Sequence, residues 1–254
     1  MKRSPGKVFL IGAGPGAPDL ITVRGAEILG RAEVVFHDAL VHPDTLALAA
    51  HAAKIAVGKR CGRHATAQQF INKRLVDAAR KHRVVARLKG GDPMLFGRAH
   101  EEISALEAAG VPYEVVSGVT SALAAAAEAG ISLTQRGSAR SVVFITPRVG
   151  TGESPSGWAK SAVAADTTVI YMGAGEAGTI TAVLLAAGAP RDLPVLVVEN
   201  ATLAGTRRIA LTLEELPEIA RYGITGPTLI MIGRVFATAL AASERETLQK
   251  YARA

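Results

Sequence analysis

Three short segments of the chain place glycine and polar residues directly after an apolar run. They are GAGPGA at residues 12–17, GGDP at residues 90–93 and GVTS at residues 118–121. Glycine lets a ligand approach the backbone closely, and a carboxylate such as that of Asp92 accepts hydrogen bonds from an amine or a ribose hydroxyl. If the apolar runs are parallel strands, their carboxyl ends meet at one edge of a sheet, where α/β proteins bind ligands. The sequence therefore predicts one binding crevice, although a tight turn or a helix cap also explains each segment taken singly.

The first segment also satisfies the dinucleotide-binding pattern G-x-G-x-x-[GA]. Asp38 follows about twenty residues later, where a ribose-binding acid would stand. Pro15 and Pro18 count against a pyrophosphate, because proline lacks the backbone N–H that a phosphate cradle uses. The glycine pattern nevertheless leaves a nicotinamide-dependent reductase open as one function of this chain. A non-catalytic ligand-binding module is another.

Composition narrows the class of protein. The chain has 254 residues, of which 49% are hydrophobic and 20% charged, and this predicts a globular protein. One cysteine and six scattered histidines predict neither a disulfide framework nor a metal site. The net charge of +7 fits an anionic partner, but basic residues occur only in pairs and aromatics make up 4%, so nucleic acid is not expected. No apolar run is long enough for a membrane helix and no signal segment is evident, so we expect a cytoplasmic protein without a membrane partner.

Apolar runs alternate with amphipathic segments along the chain, which predicts an α/β fold with central sheets flanked by helices. The predicted strands are VFLIGAG from Val8, AEVVFHDAL, RVVARL, YEVVSG, SVVFIT, TTVIYMG, LPVLVVENA and TLIMIG, with residues 207–211 as a further candidate. The predicted helices include one capped by Thr22, two over residues 67–82 and 101–109, and one opened by the T-x-x-E pattern at Thr212.

A polar stretch at residues 134–141 separates two apolar elements and indicates a domain boundary. We expect one α/β domain over residues 1–117, a connecting helix and linker over residues 118–140, and a second α/β domain over residues 141–254.

Several of these segments together resemble the tetrapyrrole (corrin/porphyrin) methyltransferases. The shared stretches are GAGPGAPDLIT, VGKRCGRHATAQQFIN, RLKGGDPMLFGR, GVTSA, YMG and VENAT, and the resemblance extends from about Val8 to Ala237. The first glycine motif and G-G-D-P are common to the family. V-G-K-R-x-G-x-H followed by Q-x-x-I-N is more specific to members that methylate uroporphyrinogen III.

The resemblance implies a homodimer of two-domain α/β subunits with the active site in the cleft between the domains. It implies S-adenosylmethionine as methyl donor, S-adenosylhomocysteine as product, and no metal. The implied reaction is the double methylation of uroporphyrinogen III, through precorrin-1, to precorrin-2, which feeds siroheme, cobalamin and, in some bacteria, heme d1. Since 254 residues leave no room for a fused oxidase or chelatase domain, we expect a single-function enzyme. Methylation of a later corrin intermediate is the alternative within the family.

The resemblance also implies roles for individual residues. The residues expected to bind the methyl donor are Pro15, Gly90, Gly91, Asp92, Leu95, Thr120, Ser121, Met172 and Ala201. The residues expected to act in catalysis are Asp38 as proton acceptor, Lys59 as proton donor, Arg98 and Glu101. The substrate is a polycarboxylate, so Arg98 and Arg136 are expected to bind it, together with Met172.

The chain departs from the family pattern at a few positions. Residues 146–148, Thr-Pro-Arg, stand where Thr-Gly-His is usual. This change is expected to affect fine substrate contacts and not the residues assigned to the donor.

Overall fold

The computed structural model describes residues 4–57, 65–148 and 157–252. The chain divides into two compact units, Met1–Ser121 and Ala122–Ala254. Each unit contains a five-stranded sheet flanked by helices, which confirms the predicted α/β fold. The linker expected over residues 118–140 stays a prediction.

The first sheet is entirely parallel. Its strands are β1 (Lys7–Gly12), β2 (Val34–His37), β3 (Ala53–Ala56), β4 (Val84–Lys89) and β5 (Tyr113–Val116). Their order is β3-β2-β4-β1-β5, so all five strands end at the same edge of the sheet. Four of them coincide with predicted apolar runs. The edge strand β3 is missing from the sequence prediction because its residues, AKIA, are mostly exposed and form no apolar run.

Helices cover both faces of this sheet. They are α1 (Val23–Gly30), α2 (Pro43–Ala47), α3 (Ala65–Ala79) and α4 (Ala99–Ala108). Successive side chains of a strand point to opposite faces. Val8 and Leu10 of β1 accordingly pack with residues of α3 and α4, whereas Phe9 and Ile11 pack with residues of α1.

The second sheet is mixed. Its strands are β6 (Val142–Ile145), β7 (Thr167–Tyr171), β8 (Pro194–Glu199), β9 (Arg207–Thr212) and β10 (Thr228–Gly233). Their order is β6-β7-β10-β8-β9, with β6 and β7 parallel and β10 antiparallel to both of its neighbours. Strands β6, β7 and β8 therefore end at the same edge. The helices of this part of the chain are α5 (Ser121–Ala129), α6 (Trp158–Ala164), α7 (Ala177–Ala186) and α8 (Ala237–Ala252).

The two predicted helix starts have different outcomes. Thr22 caps α1, because its Oγ1 accepts a hydrogen bond from Gly25 N at 3.1 Å. At the T-x-x-E pattern, the Glu215 carboxylate does accept a hydrogen bond from Thr212 N at 2.8 Å. Thr212 is nevertheless the last residue of β9 and is paired in the sheet, so no α-helix starts there, and a 3-10 helix, Leu216–Tyr222, follows instead.

Candidate active site

The three glycine-containing segments meet at the carboxyl edge of the first sheet. Residues 12–17, 90–93 and 118–121 follow β1, β4 and β5, and β1 lies between the other two strands. Gly91 N donates a hydrogen bond to Gly14 O at 2.7 Å, and Gly14 N donates to Gly91 O at 3.3 Å. The first two segments are thus joined through their backbones.

The glycines at this edge serve two different purposes. A Cβ atom on Gly12 would lie 2.5 Å from Gly118 Cα, and one on Gly118 would lie 2.4 Å from Gly91 O. These positions require glycine because the loops pack backbone against backbone. A Cβ atom on Gly90 would have Leu40 Cβ, at 3.7 Å, as its nearest neighbour, and one on Gly91 would meet nothing nearer than 4.0 Å. The space beside Gly90 and Gly91 is therefore open to a ligand.

Asp92 connects the second segment to the third. Its Oδ2 accepts a hydrogen bond from Gly118 N, and its Oδ1 accepts one from Met94 N, both at 2.8 Å. Each carboxylate oxygen has a second lone pair with which it can accept a further bond from a ligand. The other predicted donor-binding residues of these loops are all half-buried: Pro15, Leu95, Thr120 and Ser121.

The first segment lacks the donors of a pyrophosphate cradle. Gly14 N is engaged by Gly91, and Pro15 has no N–H to offer. A 3-10 turn, Pro18–Leu20, separates the segment from α1, which begins at Val23. The helix N-terminus that would bind a phosphate does not follow the glycines directly, so the geometry disfavours a dinucleotide.

Arg98 and Glu101 form a bidentate ion pair at the start of α4. Arg98 Nε donates to Glu101 Oε1 at 2.6 Å, and Arg98 Nη2 donates to Oε2 at 2.8 Å. Both side chains are exposed, and Arg98 has a left-handed backbone with φ 55°. An exposed guanidinium already shaped for one carboxylate can exchange it for a carboxylate of a ligand.

A buried ionic network adjoins Asp38. The side chains of Arg87 and Lys89 on β4 are each 3% exposed, and that of Glu102 on α4 is 0% exposed. Glu102 Oε1 accepts a hydrogen bond from Arg87 Nε at 2.8 Å, and its Oε2 accepts one from Lys89 Nζ at 3.0 Å. Arg87 Nη2 in turn donates to Asp38 Oδ1 at 2.6 Å. Gln68 on α3 adds a bond of 3.3 Å from its Nε2 to Glu102 Oε1.

This network is not among the residues predicted from the sequence, although the sequence carries a signal for it. Arg87 and Lys89 stand two residues apart in an apolar strand, so their side chains share one face of the sheet. That face is the one covered by α3 and α4, because Val85 packs there. Two cations on a buried strand face require a buried anion from the covering helices.

Burial and charge oppose each other in setting the pKa values of the network. Burial lowers the pKa of Arg87, but the charges of Asp38 and Glu102 outweigh it, and the pKa lies above its ordinary value. For Lys89, burial and the positive charge of Arg87 outweigh the attraction of Glu102, and the pKa lies below its ordinary value. Counted as ions, the network contains two cations and two carboxylates and is neutral.

Asp38 is the part of the network with substantial access to solvent. It directly follows β2, its backbone N donates to Leu88 O at 3.1 Å, and its side chain is 31% exposed. Lys59, the residue predicted to donate a proton, lies outside the described residues.

In the second unit, the predicted site residues follow β7 and β8, which end at the same edge. Met172 comes directly after β7, is exposed, and has a left-handed φ of 57°. Ala201 is buried and stands between Asn200, with φ 54°, and Thr202, with φ 68°. A left-handed conformation is unusual for a β-branched residue, and such backbone is concentrated at functional sites.

Buried Glu199 fixes the segment that contains Ala201. Its Oε1 accepts hydrogen bonds from Thr225 N and Gly226 N, both at 2.7 Å, and its Oε2 accepts one from Arg207 Nε at 2.6 Å. Burial would raise the pKa of Glu199, but the two backbone donors and Arg207 outweigh it and lower the pKa. The carboxylate is therefore held ionised at the end of β8.

Residues 146–148 follow β6, which pairs with β7. A Cβ atom on Gly173 would lie 3.6 Å from Pro147 Cγ, so the departure from the family pattern lies in space beside Gly173, the residue that follows Met172 in the chain. Arg136 is exposed in a turn closed by hydrogen bonds of 2.8 Å between Gln135 and Ala139.

Within residues 4–57, 65–148 and 157–252, no group of three or more His, Cys, Asp and Glu residues is arranged to hold a metal ion. None of the helices in this described part of the chain combines the length and the apolar character needed to cross a membrane.

Residues 7–217 match the family model of the Tetrapyrrole (Corrin/Porphyrin) Methylases. The chain belongs to this family. Among family members, the siroheme synthase of Tolumonas auensis is 45% identical over 236 residues, which are 92% of this chain and 50% of that protein. The siroheme synthase of Pseudomonas fluorescens is 43% identical over 91% of this chain and 50% of its own length. The chain thus spans about half the length of the curated relatives it matches.

Solved structures of methyltransferases share the fold. The uroporphyrin-III C-methyl transferase from Thermus thermophilus, complexed with S-adenosylhomocysteine, aligns with a TM-score of 0.81 at 39% identity, covering 92% of this chain and all of that one. A cobalt precorrin-4 methyltransferase aligns with a TM-score of 0.80 at 31% identity, covering 90% of this chain and 95% of that one.

Proposed function

We propose that this protein transfers methyl groups from S-adenosylmethionine to carbon atoms of uroporphyrinogen III, giving precorrin-1 and then precorrin-2. The proposal depends above all on the likeness to the Thermus thermophilus enzyme complexed with S-adenosylhomocysteine, at 39% identity over 92% of this chain. The likeness to siroheme synthases adds support, because precorrin-2 is a precursor of siroheme.

The open space beside Gly90 and Gly91 supports a donor site at the carboxyl edge of the first sheet. Asp92 keeps lone pairs that can accept hydrogen bonds from ribose hydroxyls. Pro15 and Leu95 offer half-buried apolar contacts beside it.

When bound, S-adenosylmethionine supplies an electrophilic methyl group attached to a sulfonium. The residues of this chain have to align the donor with the pyrrole carbon and exclude water, so positioning provides much of the rate. Methylation leaves a cationic ring system that loses a proton. We assign Asp38 as the acceptor of that proton, because its carboxylate is 31% exposed and is oriented by Arg87. Lys59 stays the candidate proton donor on the resemblance alone.

The carboxylates of the substrate need cationic partners. Arg98 fits this role, because its guanidinium already forms a bidentate contact with Glu101 in an exposed position. Arg136, also exposed, is the second candidate, and Met172 is the candidate for an apolar contact with the ring.

The test is anaerobic incubation with S-adenosylmethionine and freshly prepared uroporphyrinogen III, followed by the mass of the product. We expect two added methyl groups. One added methyl would support the family assignment but contradict the second step. If no methyl is transferred but the protein still binds S-adenosylhomocysteine, uroporphyrinogen III is not the substrate. A later corrin intermediate, such as those used by precorrin-4 methyltransferases, would then be the substrate to test.

Thermal stability separates this function from a nicotinamide-dependent reductase. A ligand that binds the folded state raises the apparent melting temperature. We expect stabilisation by S-adenosylhomocysteine and none by NAD or NADP, and the reverse pattern would overturn the proposal.

A further inference from the structure

We propose that Glu102 is a positioning residue, which acts through Arg87 on the carboxylate of Asp38. This role rests on the proposed function, in which Asp38 accepts the proton released after methyl transfer. Glu102 itself is 0% exposed and so does not contact the substrate.

The Glu102 carboxylate has three hydrogen-bond donors, which lie on two other elements. It accepts hydrogen bonds from Arg87 Nε at 2.8 Å, from Lys89 Nζ at 3.0 Å and from Gln68 Nε2 at 3.3 Å. Strand β4 provides the first two donors and α3 provides the third. The position of the Glu102 carboxylate is thus determined by the packing of α3, α4 and β4.

Arg87 connects the fixed carboxylate of Glu102 to the carboxylate of Asp38. A guanidinium is planar and rigid, so fixing one of its nitrogens fixes the direction of the others. Nε is fixed by Glu102, Nη1 donates to Leu88 O at 3.2 Å, and Nη2 donates to Asp38 Oδ1 at 2.6 Å. Asp38, partly open to solvent, is then held by a group that cannot rotate.

Stability alone does not explain the network. Bringing the three ions of Arg87, Lys89 and Glu102 out of water is costly, and well-packed apolar residues often replace a buried ion pair without loss of stability. The network also extends from the fully buried Glu102 to the half-exposed Asp38, as expected of a device that orients a reacting group. Lys89 balances the charge of Glu102, and its stem passes Gly97, where a Cβ atom would lie 3.2 Å from Lys89 Cε.

The test compares two variants that differ in whether residue 102 offers an oxygen acceptor to Arg87 Nε and Gln68 Nε2. Both carry Lys89→Met, so that removing the charge of Glu102 leaves no unpaired cation. Glu102→Gln keeps an oxygen acceptor for Arg87 Nε, whereas Glu102→Leu removes it. We expect the Leu variant to have a kcat roughly 10- to 100-fold below that of the Gln variant, as for a reacting group displaced by about 1 Å. The KM for S-adenosylmethionine and the Kd for S-adenosylhomocysteine should differ less than twofold between the two.

A merely structural role predicts a different result. It would lower the melting temperature of the Leu variant and leave kcat, measured well below that temperature, equal to that of the Gln variant, which would overturn the proposal. Should the Leu variant fail to fold, Glu102→Asn in the same background gives the same comparison, because its shorter side chain withdraws the oxygen from Arg87.

Crystal structures of the two variants decide the matter independently of substrate. We expect the 2.6 Å contact between Arg87 Nη2 and Asp38 Oδ1 to persist with Gln and to be lost with Leu. An unchanged contact in the Leu variant would contradict the positioning role. If the wild-type protein transfers no methyl to uroporphyrinogen III, the proposed function fails, while these structures still decide the role of Glu102.

Discussion

The backbone N–H of Gly118 donates a hydrogen bond of 2.8 Å to Asp92 Oδ2, across 26 residues of sequence. The carboxylate proposed to bind the methyl donor is therefore also the group that connects two loops of its site. Binding and stability are coupled at this residue.

We expect Asp92→Asn to lower both stability and donor affinity. An amide offers one oxygen and one NH2 group, so either Gly118 N or Met94 N faces a donor instead of an acceptor. Leaving such a group without a partner costs about 1–3 kcal/mol of the free energy of unfolding. Urea denaturation and calorimetric titration with S-adenosylhomocysteine measure the two effects. Asp44→Asn, at an exposed carboxylate in α2, is the control. If Asp92→Asn had the stability and the affinity of wild type, Asp92 would not couple donor binding to stability.

Two glycine substitutions separate loop packing from ligand binding. Gly118→Ala places a Cβ atom 2.4 Å from Gly91 O, and we expect a loss of about 1–3 kcal/mol in the free energy of unfolding. Gly90→Ala has room for its methyl group, so stability should stay within about 0.5 kcal/mol of wild type. Its affinity for S-adenosylhomocysteine should fall about tenfold, which is about 1.4 kcal/mol. If Gly90→Ala binds S-adenosylhomocysteine as tightly as wild type does, the methyl donor does not bind beside Gly90.

Arg98→Leu tests the contact with the substrate carboxylates. We expect kcat/KM to fall at least about tenfold, because the bidentate donor is lost. The affinity for S-adenosylhomocysteine should change less than twofold, and stability should change little, since exposed ion pairs contribute about 0–1 kcal/mol. Arg191→Leu removes a different exposed pair, with Glu214, and serves as the control. Equal kcat/KM values for the two variants would exclude a substrate contact for Arg98.

Glu199 makes part of the stability dependent on pH. Its pKa in the folded state lies below the ordinary value of 4.5, so the folded state binds fewer protons than the unfolded state as the pH falls. Its contribution is therefore fully present above about pH 4.5 and is lost as the pH falls through the folded-state pKa. Chemical denaturation between about pH 3 and pH 7 measures the free energy of unfolding of wild type and Glu199→Gln. The difference between the two proteins should become smaller as the pH falls. A difference that does not change with pH would contradict a lowered pKa of Glu199 in the folded state.

Sequence alone predicts most of the strands, because each buried strand is an apolar run bounded by glycine or polar residues. It does not predict β3, which lies at the sheet edge and is largely exposed. The resemblance predicts Asp38 as a site residue, and this stays a prediction, but it does not predict the network that orients the Asp38 carboxylate. The spacing of Arg87 and Lys89 in a buried strand indicates a buried anion, but its identity as Glu102 depends on how α4 packs on β4, and a single sequence does not reveal that packing.

Gly12, Gly91 and Gly118 come from distant parts of the sequence, yet Gly12 and Gly118 fit only against each other and against Gly91. The loops that contain them can meet in this way only when β4 and β5 are both paired with β1. Once formed, no loop can fray alone without opening the contacts of the other two. The amide protons of Gly14, Gly91 and Gly118, which are hydrogen-bonded between the loops, should then exchange with solvent only when the loops separate together.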